Sequence, residues 1–197
     1  MYNKINETLD QLKQGKLIII VDETREKESD LMLAAEFADE KSIPFMIRYT
    51  SGILTVPITK TRAEELQLSL MVENNTDKHC TNFTVSVDAI HTEMTTGVSA
   101  KDRLLTIKTI LNGNAAQLSK PGHVFPLIAK NSLLDRQGHT EASVTLCKLA
   151  DLKEVAVISE LANDDGTMMS KEQALQFAKE HNLAVISISQ ILDEIIK

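Results

Sequence analysis

The chain has 197 residues, a formal net charge of −7, 43% hydrophobic and 25% charged residues, ordinary values for one globular domain with a real core. The acidic balance, without any Lys/Arg run, argues against nucleic-acid binding. No apolar run reaches the ~18 residues of a membrane-spanning helix, and 4% aromatic residues with no Trp leave no stacking platform for sugars or bases.

The N-terminus, MYNKINETLDQLKQG, lacks the apolar core of a signal peptide and places Ile5, Leu9 and Leu12 at helical spacing. A helix is predicted over 5–14, with Gly15 as its cap. Residues 17–21 (LIIIV) read as a strand buried on both faces. Asp22, Glu23, Arg25, Glu26, Lys27, Glu28 and Asp30 then crowd one loop. Like charges at this density repel unless a cation or substrate neutralises them, and the loop leaves the end of a buried strand, where open α/β sheets hold ligands.

A helix with Pro44 in its first turn is predicted over 41–49, a strand over 53–58 and a short helix from the Thr59 cap to residue 68. Residues 82–88 alternate Phe83, Val85 and Val87 with polar neighbours, the pattern of a half-buried strand. Ser99 and Asp102 resemble a capping box that opens a helix to Gly113. The Thr95, Thr96, Ser99 and Asp102 turn would present free N–H groups to an anion, a phosphate being the obvious guest.

Residues 120–146 concentrate the chemistry. His123 and His139 each follow a glycine and read as histidines on tight turns, flanking an apolar strand over 124–129. Arg136, Thr140 and Glu141 surround the second; such groups are costly to bury and unnecessary for folding, so the two Gly-His pairs read as one site. A helix over 141–149, a strand over 155–159 ending in Glu160, a helix from the Ser170–Gln173 capping box to His181, a strand over 183–188 and a last helix complete the chain. Strands alternate with helices without a linker or repeat, so residues 1–197 are expected to form one α/β domain. Cys80 and Cys147 form no metal or redox pair by spacing, which with the missing signal peptide fits a reducing cytoplasm.

Together the Arg25-Glu26 loop, MVENNT (71–76), TTGVSAKDR (95–103), PGHVFPL and RQGHTEA resemble the 3,4-dihydroxy-2-butanone 4-phosphate synthase family of riboflavin biosynthesis. All stand in order across nearly the whole chain, and the chain looks like the monofunctional form rather than the fusion to a GTP cyclohydrolase II domain. The resemblance implies an α/β (α+β) fold, a mixed β-sheet flanked by helices in a three-layer α-β-α sandwich. It also implies a homodimer with active sites at the interface and conversion of D-ribulose 5-phosphate to 3,4-dihydroxy-2-butanone 4-phosphate plus formate. The expected course is metal-stabilised enediolate formation, dehydration, skeletal rearrangement and loss of C4.

By the same resemblance Glu26 and His139 would bind Mg²⁺ or Mn²⁺, and His123, Glu160 and Asp30 would be catalytic. Arg25, Glu26, Asp30, Arg136, Gln137, Gly138, His139 and Thr140 would contact substrate, and the 95–103 turn would approach the phosphate from the partner subunit across the dimer. A Lewis-acidic ion suits an enediolate, and a guanidinium suits a phosphate. The acidic loop departs from the family's usual Asp-Asp-Glu-Asp-Arg-Glu-Asn-Glu-Gly-Asp: Lys27 stands for Asn and Ser29 for Gly. If that position needs positive φ, Ser29 costs about 1 kcal/mol of strain. These departures motivate an alternative, a non-catalytic or substrate-shifted relative binding a different sugar phosphate.

Overall fold

The computed structural model describes residues 2–197. Its strands are β1 (Ile18–Val21), β2 (Ser29–Ala34), β3 (Thr55–Ile58), β4 (Val87–Ala89), β5 (Leu118–Ile128), β6 (Ala156–Glu160) and β7 (Ala184–Ser187). The helices are α1 (Ile5–Lys13), α2 (Ser42–Tyr49), α3 (Lys60–Glu65), α4 (Ala100–Asn112), α5 (His139–Leu149), α6 (Lys171–His181) and α7 (Ile188–Ile196). The strands make one mixed sheet in the order β4-β5-β3-β6-β2-β1-β7.

The apolar run of β1 explains the layering. Ile18 and Ile20 pack with Leu12, Ala142, Leu146 and Ile191 of α1, α5 and α7, whereas Ile19 and Val21 pack with Met46, Ile107, Ile110 and Phe177 of α2, α4 and α6. Successive side chains of a strand point to opposite faces, so a strand apolar at every position needs helices on both sides. The result is the expected α-β-α sandwich.

Cap chemistry fixes the helix ends. Thr59, Ser99 and Ser170 each accept the N–H of the residue three positions on, at 3.1, 3.0 and 3.3 Å. The predicted strand over 183–188 runs one residue too far: the Ser187–Gln190 capping box turns Ile188 into the first residue of α7. The strand predicted over 82–88 is regular only from Val87. Upstream, the Thr84 N–H donates to the Pro126 carbonyl and the Val85 N–H to that of Ser69, so this segment divides its hydrogen bonds between two partners instead of forming one ladder. Gly122 is not on a turn but inside β5, where a Cβ would overlap the Val87 carbonyl and the Asp88 nitrogen. It is small because β4 crosses there, not because of its φ.

Candidate active site

Asp22 follows β1 directly and is 1% exposed. Its Oδ1 accepts the N–H groups of Thr24 (2.8 Å) and Arg25 (3.0 Å) and the Thr24 hydroxyl (3.1 Å); its Oδ2 accepts the Glu26 N–H at 3.1 Å. The Asp22 N–H donates to the Glu28 carbonyl at 3.0 Å and closes the loop. Ser29 opens β2 opposite Val21 and carries no positive φ; the left-handed residue is Lys27, at φ 58°. The strain expected at Ser29 therefore lies two residues earlier.

Gly138 caps α5 with an extended backbone (φ −119°), and a Cβ there would strike the Arg136 guanidinium. His139, Thr140 and Glu141 form the buried first turn of α5. His139 Nδ1 lies 3.2 Å from Glu26 Oε2 and 3.8 Å from Asp30 Oδ1. Asp30 on β2 faces Glu160 on β6 in register. Glu160 Oε2 accepts the Ser51 hydroxyl at 2.6 Å. A cavity of about 250 Å³ is lined by Glu26, Asp30, Arg136, His139, Thr140 and Glu160, with Glu28, Thr55, His79 and Thr81 around them.

The electrostatics follow from burial. Burial raises the Asp30 carboxyl, and the Glu160, Glu26 and Glu28 charges raise it further; His139 offsets part of this, leaving Asp30 at about 7. For His139 burial disfavours the charge, but Asp30 and the Glu26 hydrogen bond outweigh it and hold the imidazole at about 9. Glu26 is lowered, chiefly by the His139 hydrogen bond. A carboxyl at about 7 beside an acid that stays ionised is equipped to take and return a proton at neutral pH.

Arg136, expected to hold phosphate, has its guanidinium engaged by protein. It donates to Glu141 Oε2 (2.6 Å), Thr81 Oγ1 (2.8 Å) and the His79 carbonyl (3.0 Å), and lies 3.6 Å from Glu26 Oε1. Arg25 also donates to the His79 carbonyl, at 3.1 Å, while its Nη1 is buried without a partner. Arg25 and Gln137 line not the acidic cavity but an adjoining one of about 420 Å³, which also contains Lys130, Arg136 and His79.

Within one chain the two Gly-His pairs do not converge. His123 does not line the acidic cavity; its side chain is 48% exposed beside β4, with Nδ1 2.7 Å from Asp88 Oδ2 and its N–H donating to Asp88 Oδ1 at 2.9 Å. The turn with Thr95, Thr96, Ser99 and Asp102 packs on this pair, and a Cβ on Gly97 (φ 87°) would overlap Asp88 and His123. Asp102 does not complete a capping box with Ser99; its carboxylate accepts the Thr95 hydroxyl at 2.5 Å and the Thr95 and Gly97 N–H groups, both at 3.1 Å. Sequence reasoning did not single out Asp22 alone, Ser51, Thr81 or Asp88. Only Asp88 left a signal, a carboxylate at the end of an alternating apolar run.

The residues fit a divalent cation. Asp30 Oδ1 and His139 Nε2 are buried without hydrogen-bond partners, and the Glu26 carboxylate meets the imidazole. Among the described residues no group of three or more His, Cys, Asp or Glu is arranged to hold a metal ion by itself. One carboxylate and one imidazole would leave the remaining positions to water and ligand oxygens, which Mg²⁺ tolerates.

Such a site, at the ends of the central strands β2 and β6 of a mixed sheet, has the carboxylate and imidazole lining found in the class of metal-dependent enzymes. Comparison with known proteins narrows the class. The family model described as 3,4-dihydroxy-2-butanone 4-phosphate synthase matches residues 6–194. The riboflavin biosynthesis protein RibBA of Bacillus mycoides is 45% identical over 196 residues, 98% of this chain and 49% of that protein. The RibBA of Bacillus cytotoxicus is 43% identical over the same shares, so the chain spans about half the length of these curated relatives. A crystal structure of a 3,4-dihydroxy-2-butanone 4-phosphate synthase in complex with two magnesium ions superposes with a TM-score of 0.96 at 35% identity, covering 98% of this chain and 97% of that one. The synthase of Candida albicans gives 0.92 at 37% identity with full coverage of both chains. The chain belongs to the 3,4-dihydroxy-2-butanone 4-phosphate synthase family.

Proposed function

We propose that this chain converts D-ribulose 5-phosphate to 3,4-dihydroxy-2-butanone 4-phosphate and formate in riboflavin biosynthesis, using a divalent metal. The observation that carries the reading is the convergence of Glu26 and His139, 3.2 Å apart and 113 positions apart in sequence, beside Asp30 and Glu160. Glu26 and His139 would hold Mg²⁺ or Mn²⁺, which when bound supplies Lewis-acid stabilisation for negative charge on the substrate oxygens. Asp30 and Glu160 face each other across β2 and β6 and are suited to take and return protons at the sugar carbons. Thr140 and the Arg136–Gly138 segment would orient the sugar chain, and the unpartnered Arg25 Nη1 offers a donor to its phosphate.

His123 enters this scheme through a homodimer. Asp88 holds its Nδ1 and leaves Nε2 free, on a surface that also exposes Ile90 (60%) and Val98 (52%). A partner docked there would bring His123, Thr95 and Thr96 to the acidic cavity of the other subunit. No helix among the described residues is long and apolar enough to cross a membrane, and the free thiols Cys80 and Cys147 support a reducing cytoplasm.

The test is formate release from ribulose 5-phosphate with Mg²⁺ or Mn²⁺, comparing the unaltered chain with Glu26→Gln and His139→Ala. Metal-dependent turnover that collapses in both variants is expected. A folded chain that releases no formate with either metal would overturn the reading and point to a different sugar phosphate.

A further inference from the structure

We infer that Asp22 is the positioning residue of the acidic loop: its buried carboxylate fixes the backbone of Arg25 and Glu26 and so aims the Glu26 side chain at His139. The inference rests on the proposed reading of Glu26 and His139 as metal ligands.

Three features carry it. Asp22 is 1% exposed, and among the described residues it makes no ion pair with any Lys or Arg; backbone N–H groups and one hydroxyl of its own loop satisfy it instead. A buried carboxylate without a cation persists only where such donors are fixed around it, and those bonds are the strong, charge-assisted kind. Next, both oxygens are used, and they divide the loop: Oδ1 takes Thr24 and Arg25, Oδ2 takes Glu26. Finally, the other contacts of the segment hold side chains rather than its backbone: Glu23 reaches Lys171 at the surface, Arg25 the His79 carbonyl, and Glu26 meets His139 and Arg136, while the Asp22 N–H bond to the Glu28 carbonyl closes the loop.

The loop therefore folds against its own repulsion. Glu26, Glu28 and Asp30 crowd one cavity, and without a clamp their carboxylates would separate. Asp22 adds one more negative charge, but it supplies two acceptor oxygens at a spacing that one amide cannot match. In Asp22→Asn one oxygen becomes an NH₂ group facing an N–H, so either the Arg25 or the Glu26 anchor is lost. Groups that orient metal ligands in this way typically govern affinity by 10–100-fold.

The test titrates the full chain with Mn²⁺, reading free Mn²⁺ by electron paramagnetic resonance, in the unaltered chain, Asp22→Asn, Glu23→Gln and Glu26→Gln. Asp22→Asn should weaken binding by about 10–100-fold with far-UV circular dichroism unchanged, and Glu23→Gln, with the same change of charge, should stay within about twofold. Equal affinity in Asp22→Asn, or an equal loss in Glu23→Gln, would overturn the inference while leaving the metal reading intact. Undiminished binding in Glu26→Gln would instead overturn the metal reading, and the inference with it. Should Asp22→Asn fail to fold, amide exchange in the unaltered chain decides. The Arg25 and Glu26 N–H groups should be protected relative to Lys27, and exchange as fast as Lys27 would refute the clamp.

Discussion

Arg136 and Glu141 form a buried ion pair of the site, at 2.6 Å with side chains 7% and 2% exposed. Removing one partner of such a pair strands the other charge away from water, which costs more than the pair contributes when intact. Glu141→Ala should therefore lower the unfolding free energy by about 3–5 kcal/mol in urea titrations, and a loss below about 1 kcal/mol would show that water reaches the guanidinium. Lys27 gives the opposite case. At φ 58° and exposed, it occupies a region that Asn tolerates better than Lys. Lys27→Asn should raise stability by about 0.5–1 kcal/mol, measured in the same titration. The Arg136–Glu141 pair was half legible: both residues stood out as costly polar groups within six positions, but nothing local told which would face the other and which the cavity. The strain was assigned to Ser29 because a family glycine invites that inference, whereas the backbone turns two residues earlier.

At the N-terminus of α4, Asp102 organises the preceding turn as Asp22 organises the acidic loop. The Thr95 hydroxyl, with the Thr95 and Gly97 N–H groups, holds its carboxyl down at about 2. A folded pKa below the unfolded value of 3.8 means that the stabilisation is fully present above that value and is lost as pH falls toward about 2. Urea midpoints should thus drop between pH 4 and pH 2 in the unaltered chain. Asp102→Asn should be less stable at neutral pH and lose less across that window; parallel losses would remove Asp102 from the acid transition. Elements of this kind show what a sequence carries. The caps at Thr59, Ser99 and Ser170 were readable because cap chemistry spans three residues. The α7 start was missed because an apolar run continued through Ser187, and residues 82–86 looked like a strand because alternation records burial, not the identity of hydrogen-bond partners.

Across the whole molecule the residues expected to carry the chemistry fall in two places. The β1–β2 loop and the α5 N-terminus assemble the acidic cavity, while β4, β5 and the turn before α4 hold His123 against Asp88 at an exposed apolar surface. The motifs themselves were visible in the sequence, but their separation was not, because two Gly-His pairs flanking one apolar run look adjacent, whereas Gly122-His123 lies inside β5 against β4 and Gly138-His139 opens α5, beyond the end of that strand. A site shared between subunits makes a prediction that a self-contained site does not. In a twofold dimer, His123→Ala and His139→Ala each inactivate both sites, but a mixed dimer carries one site with both defects and one with neither. Co-refolding the two inactive variants in equal amounts should restore formate release to about a quarter of that of the unaltered chain, since half of the dimers are mixed and each has one sound site. No recovery, with mixed dimers shown to form, would place His123 outside the reaction or within its own subunit's site.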